Sequence, residues 1–356
     1  DGVVKTSELD RINNANADLS NYKKVYPNDI VYNSMRMWQG ASGVSKYFGV
    51  VSPAYTVITP IENQDSAYWA YYFRCKESIE KFSRFSQGVT SDTWNLKYPA
   101  FSIITFPVPK LIEEQQKIAD CLSSLDEVID LEAQKLDALK AHKKGLMQQL
   151  FPREGETTPS LRFPEFRDAG EWEVKRLGDE ELATFVAETA DRDELDIETY
   201  ISTENLLPDF GGVSRASKLP ATGTFKKYRY GDILLANIRP YLRKAWLATF
   251  GGAASNDVII IRPSLSVNSL FIMNNIRSDR FISYVMEGAK GVKMPRGDIS
   301  LMKQYPVATP SLPEQQKIAD CLSSLDEVIG LQTQKLNALK AHKKGLMQQL
   351  FPSEVD

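Results

Sequence analysis

Apolar residues recur in alternating steps of four and three along two stretches of this chain. In the first, Ile118, Leu122, Leu125, Ile129, Leu136, Leu139, Leu146 and Leu150 keep the rhythm, with Glu132 and Lys143 in its two remaining places. The series returns 200 positions later as Ile318, Leu322, Leu325, Ile329, Leu336, Leu339, Leu346 and Leu350. That alternation is the seam of a coiled coil, and neither stretch is interrupted by proline. The pattern predicts two helical rods, Glu114–Leu150 and Glu314–Leu350, each about 55 Å long at ~1.5 Å per residue. Proline-bearing lead-ins, VPKLIEEQQ and TPSLPEQQ, precede them, and Pro152 and Pro352 stop them. Gly330 costs its helix about 1 kcal/mol relative to alanine, which a paired helix tolerates better than an isolated one. Each rod therefore needs a partner, and the nearest one is the other rod.

The rods are also the same sequence. Adding 200 maps residues 114–152 onto the second copy with differences only at Asp130/Gly330, Glu132/Gln332, Ala133/Thr333 and Asp137/Asn337. The segments between are distant copies too. An offset of 203 sets NDIVYNSMR (Asn28–Arg36) on GDILLANIR (Gly231–Arg239) and pairs Ser52 with Ser255 and Pro60 with Pro263. DIVYNSM, YTVIT, DILLANI and DVIIIRP read as strands, while SAYWAYYFRCKESIEKF and NSLFIMNNIRSDRFISYVM read as helices. The fold class is α/β: two mixed domains separated by two long antiparallel coiled-coil helices, with an approximate internal two-fold. Extending the offset backwards places the counterpart of Arg162 ahead of Asp1, so about forty residues of the first domain are expected to precede the chain.

A length of 356 residues, 42% hydrophobic and 25% charged, suits a globular protein of two or three domains. No secretory signal or membrane-length apolar run is present. Cys75, Cys121 and Cys321 form no CxxC and read as small buried hydrophobes. Catalytic constellations are missing: there is no phosphate loop, no GxGxxG after a strand and no HExxH. The two histidines, His142 and His342, are one repeat position on a helix, so neither a catalytic residue nor a metal ligand is assigned. Lys140, Lys143 and Lys144 suit a helix C-terminus, with phosphate contact as the competing reading, and Asp126 and Glu127 read as solvated or partner-facing.

The net charge of −3 excludes binding to nucleic acid through bulk charge alone, but charge is uneven. Between Arg215 and Leu247 eight Lys/Arg residues face one acid, whereas Asp179–Glu198 holds nine acids and one arginine. That acidic face is expected to point away from phosphate. Candidate nucleic-acid contacts are Lys226 and Lys227, then Arg239, Tyr241, Arg243 and Lys244 in NIRPYLRKAW, a mix able to grip phosphates and reach base edges. The aligned stretch of the first half supplies Arg36, Trp38 and Lys46, with Gln39 beside them. Lys293 and Arg296 in KGVKMPRGD, and the polar loop QGVTSDTWN, form a second set. Each also has a plain alternative as a solvated charge or a core aromatic.

Two near-identical rods flanking divergent domains, with RFPEFRDAGEWEVKRLGD (Arg162–Asp179) opening the second half and LPEQQKIADCLSSLDEVI closing towards KLNALKAHKKGLMQQLF, resemble the specificity subunit of type I restriction-modification enzymes. The resemblance implies target recognition domains at 1–110 and 153–310 and conserved spacer helices at 111–152 and 311–356. Each domain would read one half of a bipartite double-stranded DNA target. The spacer helices, with Ile118, Leu122, Leu125, Ile129, Leu139, Leu146 and their partners Ile318, Leu322, Leu325, Ile329, Leu339 and Leu346, would pair and dock two methyltransferase subunits, through which restriction subunits attach. S-adenosylmethionine would sit on the methyltransferase, and ATP and Mg on the restriction subunit. This chain would bind no cofactor, perform no catalysis, touch no membrane and work in a bacterial or archaeal cytoplasm. The competing readings are a coiled-coil scaffold that touches no DNA and the recognition part of a larger fused restriction enzyme.

Overall fold

The computed structural model describes residues 2–8 and 18–351, so Pro352 lies outside the described residues. The chain packs as two compact units, residues 1–136 with 331–356 and residues 137–330. The packing boundary falls inside the rods, and each unit holds one domain with part of both long helices.

Unit 1 contains β1 (Lys23–Val25), β2 (Ile30–Asn33), β3 (Ser42–Val44), β4 (Gly49–Val51), β5 (Tyr55–Ile58), α1 (Ser66–Tyr72), α2 (Lys76–Phe85), α3 (Tyr98–Phe101) and the start of α4 (Ile112–Leu150). Its sheets are β3-β2-β5 and β1-β4, both antiparallel. Unit 2 continues with β6 (Glu173–Arg176), β7 (Ala183–Phe185), β8 (Thr189–Ala190), β9 (Phe225–Tyr228), β10 (Ile233–Ala236), β11 (Ala245–Leu247), β12 (Gly252–Ser255) and β13 (Val258–Pro263). Then come α5 (Ser269–Arg277), α6 (Asp279–Glu287), α7 (Ile299–Lys303), β14 (Pro306–Thr309) and the start of α8 (Leu312–Leu350). Its sheets run β11-β10-β13-β7, β12-β9-β8 and β14-β6.

The offset of 203 read from sequence holds at the level of strand register. Ile30 pairs with Val44 and Ile58 as Ile233 pairs with Leu247 and Ile261, and Lys23 faces Val51 as Lys226 faces Ala254. The turn before the central strand is also shared. Asn28 and Gly231 both take the left-handed backbone, at φ +74° and +84°, which these two residue types adopt at least cost. The aspartate that follows accepts a backbone N–H three residues back in each half, from Tyr26 to Asp29 and from Arg229 to Asp232, at 2.8 Å.

Each of the two helical stretches read from the domain sequences holds two helices, α1 with α2 and α5 with α6. The chain turns extended at Cys75 (ψ 151°) and Ser278 (ψ 146°), and the Ser278 hydroxyl caps α6 by accepting the Phe281 N–H. Serine prefers such a cap to a helix interior, a preference that apolar periodicity across the junction conceals.

The rods match their pattern. Both are unbroken for 39 residues, and Pro313 sits in the first turn of α8, where a missing N–H costs little. Every position of the four-three series is buried or half-buried, including the side chains of Glu132 and Lys143, which are 16% and 13% exposed. In unit 1, Asp126 pairs with Lys343 and Glu132 with Gln332 and Lys335, so the helices run antiparallel there. In unit 2, Lys143 pairs with Asp326 at 2.6 Å.

Each domain holds its helix ends in the same way. In unit 1, Phe351 packs on Tyr68 and Tyr72 beside Ile118 and Leu122; in unit 2, Phe151 packs on Phe271 beside Ile318 and Leu322. A buried glutamine fastens each junction. Gln115 accepts the Asp65 N–H and donates to the Pro109 carbonyl, both at 3.0 Å. Gln315 accepts the Asn268 N–H at 3.0 Å and donates to Pro310 at 2.8 Å. Asp65 and Asn268 are the N-caps of α1 and α5. The expectation of three buried cysteines fails: Cys75 is buried, its thiol pushed up to about 12 chiefly by burial, but Cys121 is exposed and Cys321 half-exposed on the outer faces of the rods.

Candidate nucleic-acid interface

The loop that follows the central strand, 237–244 in unit 2, is rich in arginine and aromatic residues, and the fold lays a second loop against it. The Arg239 N–H donates to Pro295 O at 2.8 Å, the Gly297 N–H donates to Asn237 O at 3.1 Å, and Ile238 bridges to Arg296. Arg239 and Arg243 hold left-handed backbone at φ +52° and +55° and bracket Pro240–Leu242. Tyr241 is 49% exposed at the tip of this turn, and Arg239 and Arg243 at its two ends are half-buried. Unit 1 repeats the arrangement: the Leu96 N–H donates to Ser34 O at 2.8 Å, and Trp38 meets Trp94 edge-to-face at 5.4 Å. Arg36 is exposed beside it, whereas Lys46, also exposed, lies past the far end of β3 near the Asn28 turn. The two sets of candidates that sequence kept separate are thus adjacent in each half.

Several candidate cations already have partners. Arg243 is bonded to Asp279, which Lys144 also meets at 2.9 Å; Lys144 first and Arg243 second hold that carboxyl below the usual range. Lys244 donates to Thr203 O at 2.8 Å, and Arg296 pairs with Asp257 at 3.0 Å. The Arg239 Nε is buried without a hydrogen-bond partner among the described residues. Lys293 is exposed.

Lys226 and Lys227 sit elsewhere, on β9. Lys226 donates to the carbonyls of Asn256 and Val258 at 3.1 Å, and burial lowers its basicity. Lys227 bonds Glu194 at 2.6 Å, which raises its basicity.

The expected segregation of charge is overturned. Glu188, Glu194 and Glu198 of the acidic stretch pair with Arg229, Lys227 and Arg215 of the basic one. The reason is topological: β8 runs through the acidic stretch and is the hydrogen-bonded neighbour of β9, so residues far apart in sequence neutralise one another.

A further cluster of cations includes Lys140, Lys143 and Lys144, for which the sequence left phosphate contact as the competing reading. A cleft of about 960 Å³ in unit 2 lies between the end of α4 and the domain and is lined by Lys140, Lys143, Lys144, Arg153, Arg243, Arg277 and Arg280. Only Asp209, Asp279 and Asp326 oppose these seven cations there. Arg277 is deep enough that burial weakens its hold on its proton, while Asp326, at 3.2 Å, opposes that effect. An excess of fixed positive charge in a partly desolvated cleft attracts polyanions. Six separate chain segments line it and three of them supply its cations, so no local motif could reveal it.

Among the described residues no cluster of His, Cys, Asp and Glu could hold a metal ion, and no helix is long and apolar enough to cross a membrane.

Comparison with known proteins agrees with this two-fold construction. The family model for the type I restriction modification DNA specificity domain matches residues 4–141 and again 170–341. The specificity subunit of the type I restriction enzyme MjaVIII of Methanocaldococcus jannaschii is 22% identical over 371 residues, covering 94% of this chain and 83% of its own. The EcoDI specificity subunit of Escherichia coli is also 22% identical, covering 88% and 74%. Among solved structures, the S subunit of a type I restriction-modification system from M. genitalium superposes with a TM-score of 0.60 at 15% identity, covering 93% of this chain and 84% of that one. A chain from a study of type I restriction-modification complex assembly gives 0.58 at 15% identity, covering 94% and 84%.

Proposed function

This chain belongs to the type I restriction-modification DNA specificity family, and from that premise we propose that it is the sequence-reading subunit of such an assembly. Each domain reads one half of a bipartite DNA target. The two rods hold the half-sites at a fixed spacing and offer matching surfaces to two methyltransferase subunits, and restriction subunits join through these. S-adenosylmethionine belongs to the methyltransferase, ATP and Mg to the restriction subunit, and this chain contributes recognition without catalysis in a prokaryotic cytoplasm.

The observation that carries this reading is the contrast within one repeat. The halves share strand register, the Asp65 and Asn268 helix caps and the buried glutamine fastening, yet their paired loops differ in most side chains: around the shared Arg36 and Arg239, Met35, Trp38 and Gln39 stand where Ile238, Tyr241 and Leu242 stand in the other half. A constant frame with variable loops is how a scaffold carries two specificities. In unit 2 the loop residues Arg239, Tyr241 and Lys293 are the base-reading candidates. The cationic cleft supplies phosphate attraction, a role that ion pairing leaves less available to Lys227.

The test is selection of bound DNA from a random library by the chain co-purified with its methyltransferase. The expected result is two short defined blocks separated by a gap of constant length. Tyr241→Ala should relax preference in one block alone. Recovery of unselected DNA, or of none, would favour the scaffold reading.

A further inference from the structure

Asp279 is held by two cations in an arrangement that the frame of the fold does not require. The Arg243 Nη2 donates to its Oδ1, and the Lys144 Nζ lies 2.9 Å from its Oδ2. An acid suits the first turn of α6 through the helix dipole, yet α2 begins with Lys76 at the equivalent place, 203 residues earlier, and forms ten residues of helix without one there. Arg243 is also peculiar to unit 2. Its counterpart is Gly40, at φ +77°, whereas Arg243 takes the left-handed backbone at +55°, a conformation that disfavours any residue with a Cβ. Nor is the ion pair needed to hold the turn. The Asp209 N–H donates to Leu242 O at 3.1 Å and the Phe210 N–H to Arg243 O at 2.8 Å, so hydrogen bonds from another segment already fix its backbone.

The arrangement is that of an occupied anion site. The carboxylate offers two oxygens to two cations, as the two unesterified oxygens of a phosphodiester would. All three residues line the cleft of about 960 Å³, where seven cations face three acids. Lys144 is exposed, and Arg243 and Asp279 are half-buried, so an anion from solvent can reach both cations. A phosphate drawn into the cleft by its excess positive charge meets one direct competitor for this pair, the Asp279 carboxylate.

We propose that Lys144 and Arg243 form a subsite for one DNA backbone phosphate, and that Asp279 fills this subsite until DNA displaces it. The inference rests on the reading of the cleft as a phosphate-attracting surface. Asp279 then lowers affinity for every sequence alike, because a phosphate carries no base identity, and base preference stays with the paired loops.

The experiment measures binding of the chain, co-purified with its methyltransferase, to a duplex bearing the selected target and to a scrambled duplex, each over a series of salt concentrations. Asp279→Asn removes the charge and keeps the shape of the side chain. It should tighten binding to both duplexes by about three- to tenfold, the range that one or two half-exposed ion pairs are worth. Asp279→Ser should act in the same direction, and it covers the case in which the asparagine amide keeps a bond to Arg243. Arg243→Gln should weaken both duplexes and lower the salt slope by about one. In a chain that carries Arg243→Gln and Lys144→Gln together, Asp279→Asn should change affinity by less than about twofold, because the cations it competes for are gone. Glu181→Gln, which removes an acid outside the cleft, should also stay within about twofold, since salt screens distant charges. Lys140→Gln tests the cleft itself, because Lys140 lines it without bonding Asp279; both duplexes should weaken, with the slope again lower by about one. If Lys140→Gln and Arg243→Gln both leave binding unchanged, the phosphate reading of the cleft and the proposal fall together. If Lys140→Gln weakens binding but neither Asp279 variant tightens it, or they tighten the target duplex alone, or Glu181→Gln tightens it equally, the proposal alone is overturned.

Discussion

Glu114 and Glu314 are the same residue in the same local sequence, and their surroundings give them opposite weights. Glu314 is 1% exposed and held by Arg162, which is itself 8% exposed, and the guanidinium gains basicity chiefly from that bond. Removing one partner of a buried ion pair strands the other charge. Glu314→Ala is therefore expected to destabilise unit 2 by about 3–5 kcal/mol, whereas Glu114→Ala should stay within about 0.5 kcal/mol. Urea unfolding followed through the fluorescence of Trp172, which lies in the unit 2 core, checks the first; the second is read from the far-ultraviolet signal. The rods are letter-identical here, so the difference comes from Arg162, whose counterpart under the offset of 203 lies ahead of Asp1. The cations are a similar case. Arg239, Tyr241 and Arg243 were legible as an arginine-aromatic cluster, but the partners that occupy Arg243, Lys244 and Arg296 come from distant segments.

Regular elements were far more legible than contacts, because periodicity belongs to one segment. The rods emerged at nearly their observed ends, and the seam included the two polar positions. The central strands emerged too, but the α1/α2 and α5/α6 breaks were hidden where one extended residue, Cys75 or Ser278, interrupts a pattern that stays apolar on both sides. One polar seam position has a further role. Glu132 meets Gln332 and Lys335 of the other helix, whereas two copies of α4 paired with each other would bring Glu132 against Glu132. Like charges brought together at a seam disfavour that pairing. Glu132→Gln makes the two helices alike at this point and is expected to raise the dimer fraction at a given concentration. Sedimentation velocity over a tenfold dilution series measures it, and an unchanged distribution would remove Glu132 from the choice of partner.

At the largest scale the molecule is an internal repeat: strand registers, the Asp65 and Asn268 caps and the glutamine fastenings recur from one unit to the other, and that regularity was readable as a constant offset. Under the proposed function, rod length determines the gap between half-sites. Deleting one heptad from each rod removes about 10 Å of helix, equivalent to about three base pairs at ~3.4 Å per pair. The DNA selected by such a variant should have a correspondingly shorter gap with both blocks unchanged, and an unaltered gap would contradict the spacer role. The identity of the rods also matters to inheritance. Gln115 and Gln315 fasten different domains through the same bonds, so either rod can receive either domain. A genetic crossover anywhere within the repeated stretch would then join a foreign recognition domain to an intact seam. New DNA targets could arise by exchange of whole modules, while every surface that assembly depends on passes through unaltered.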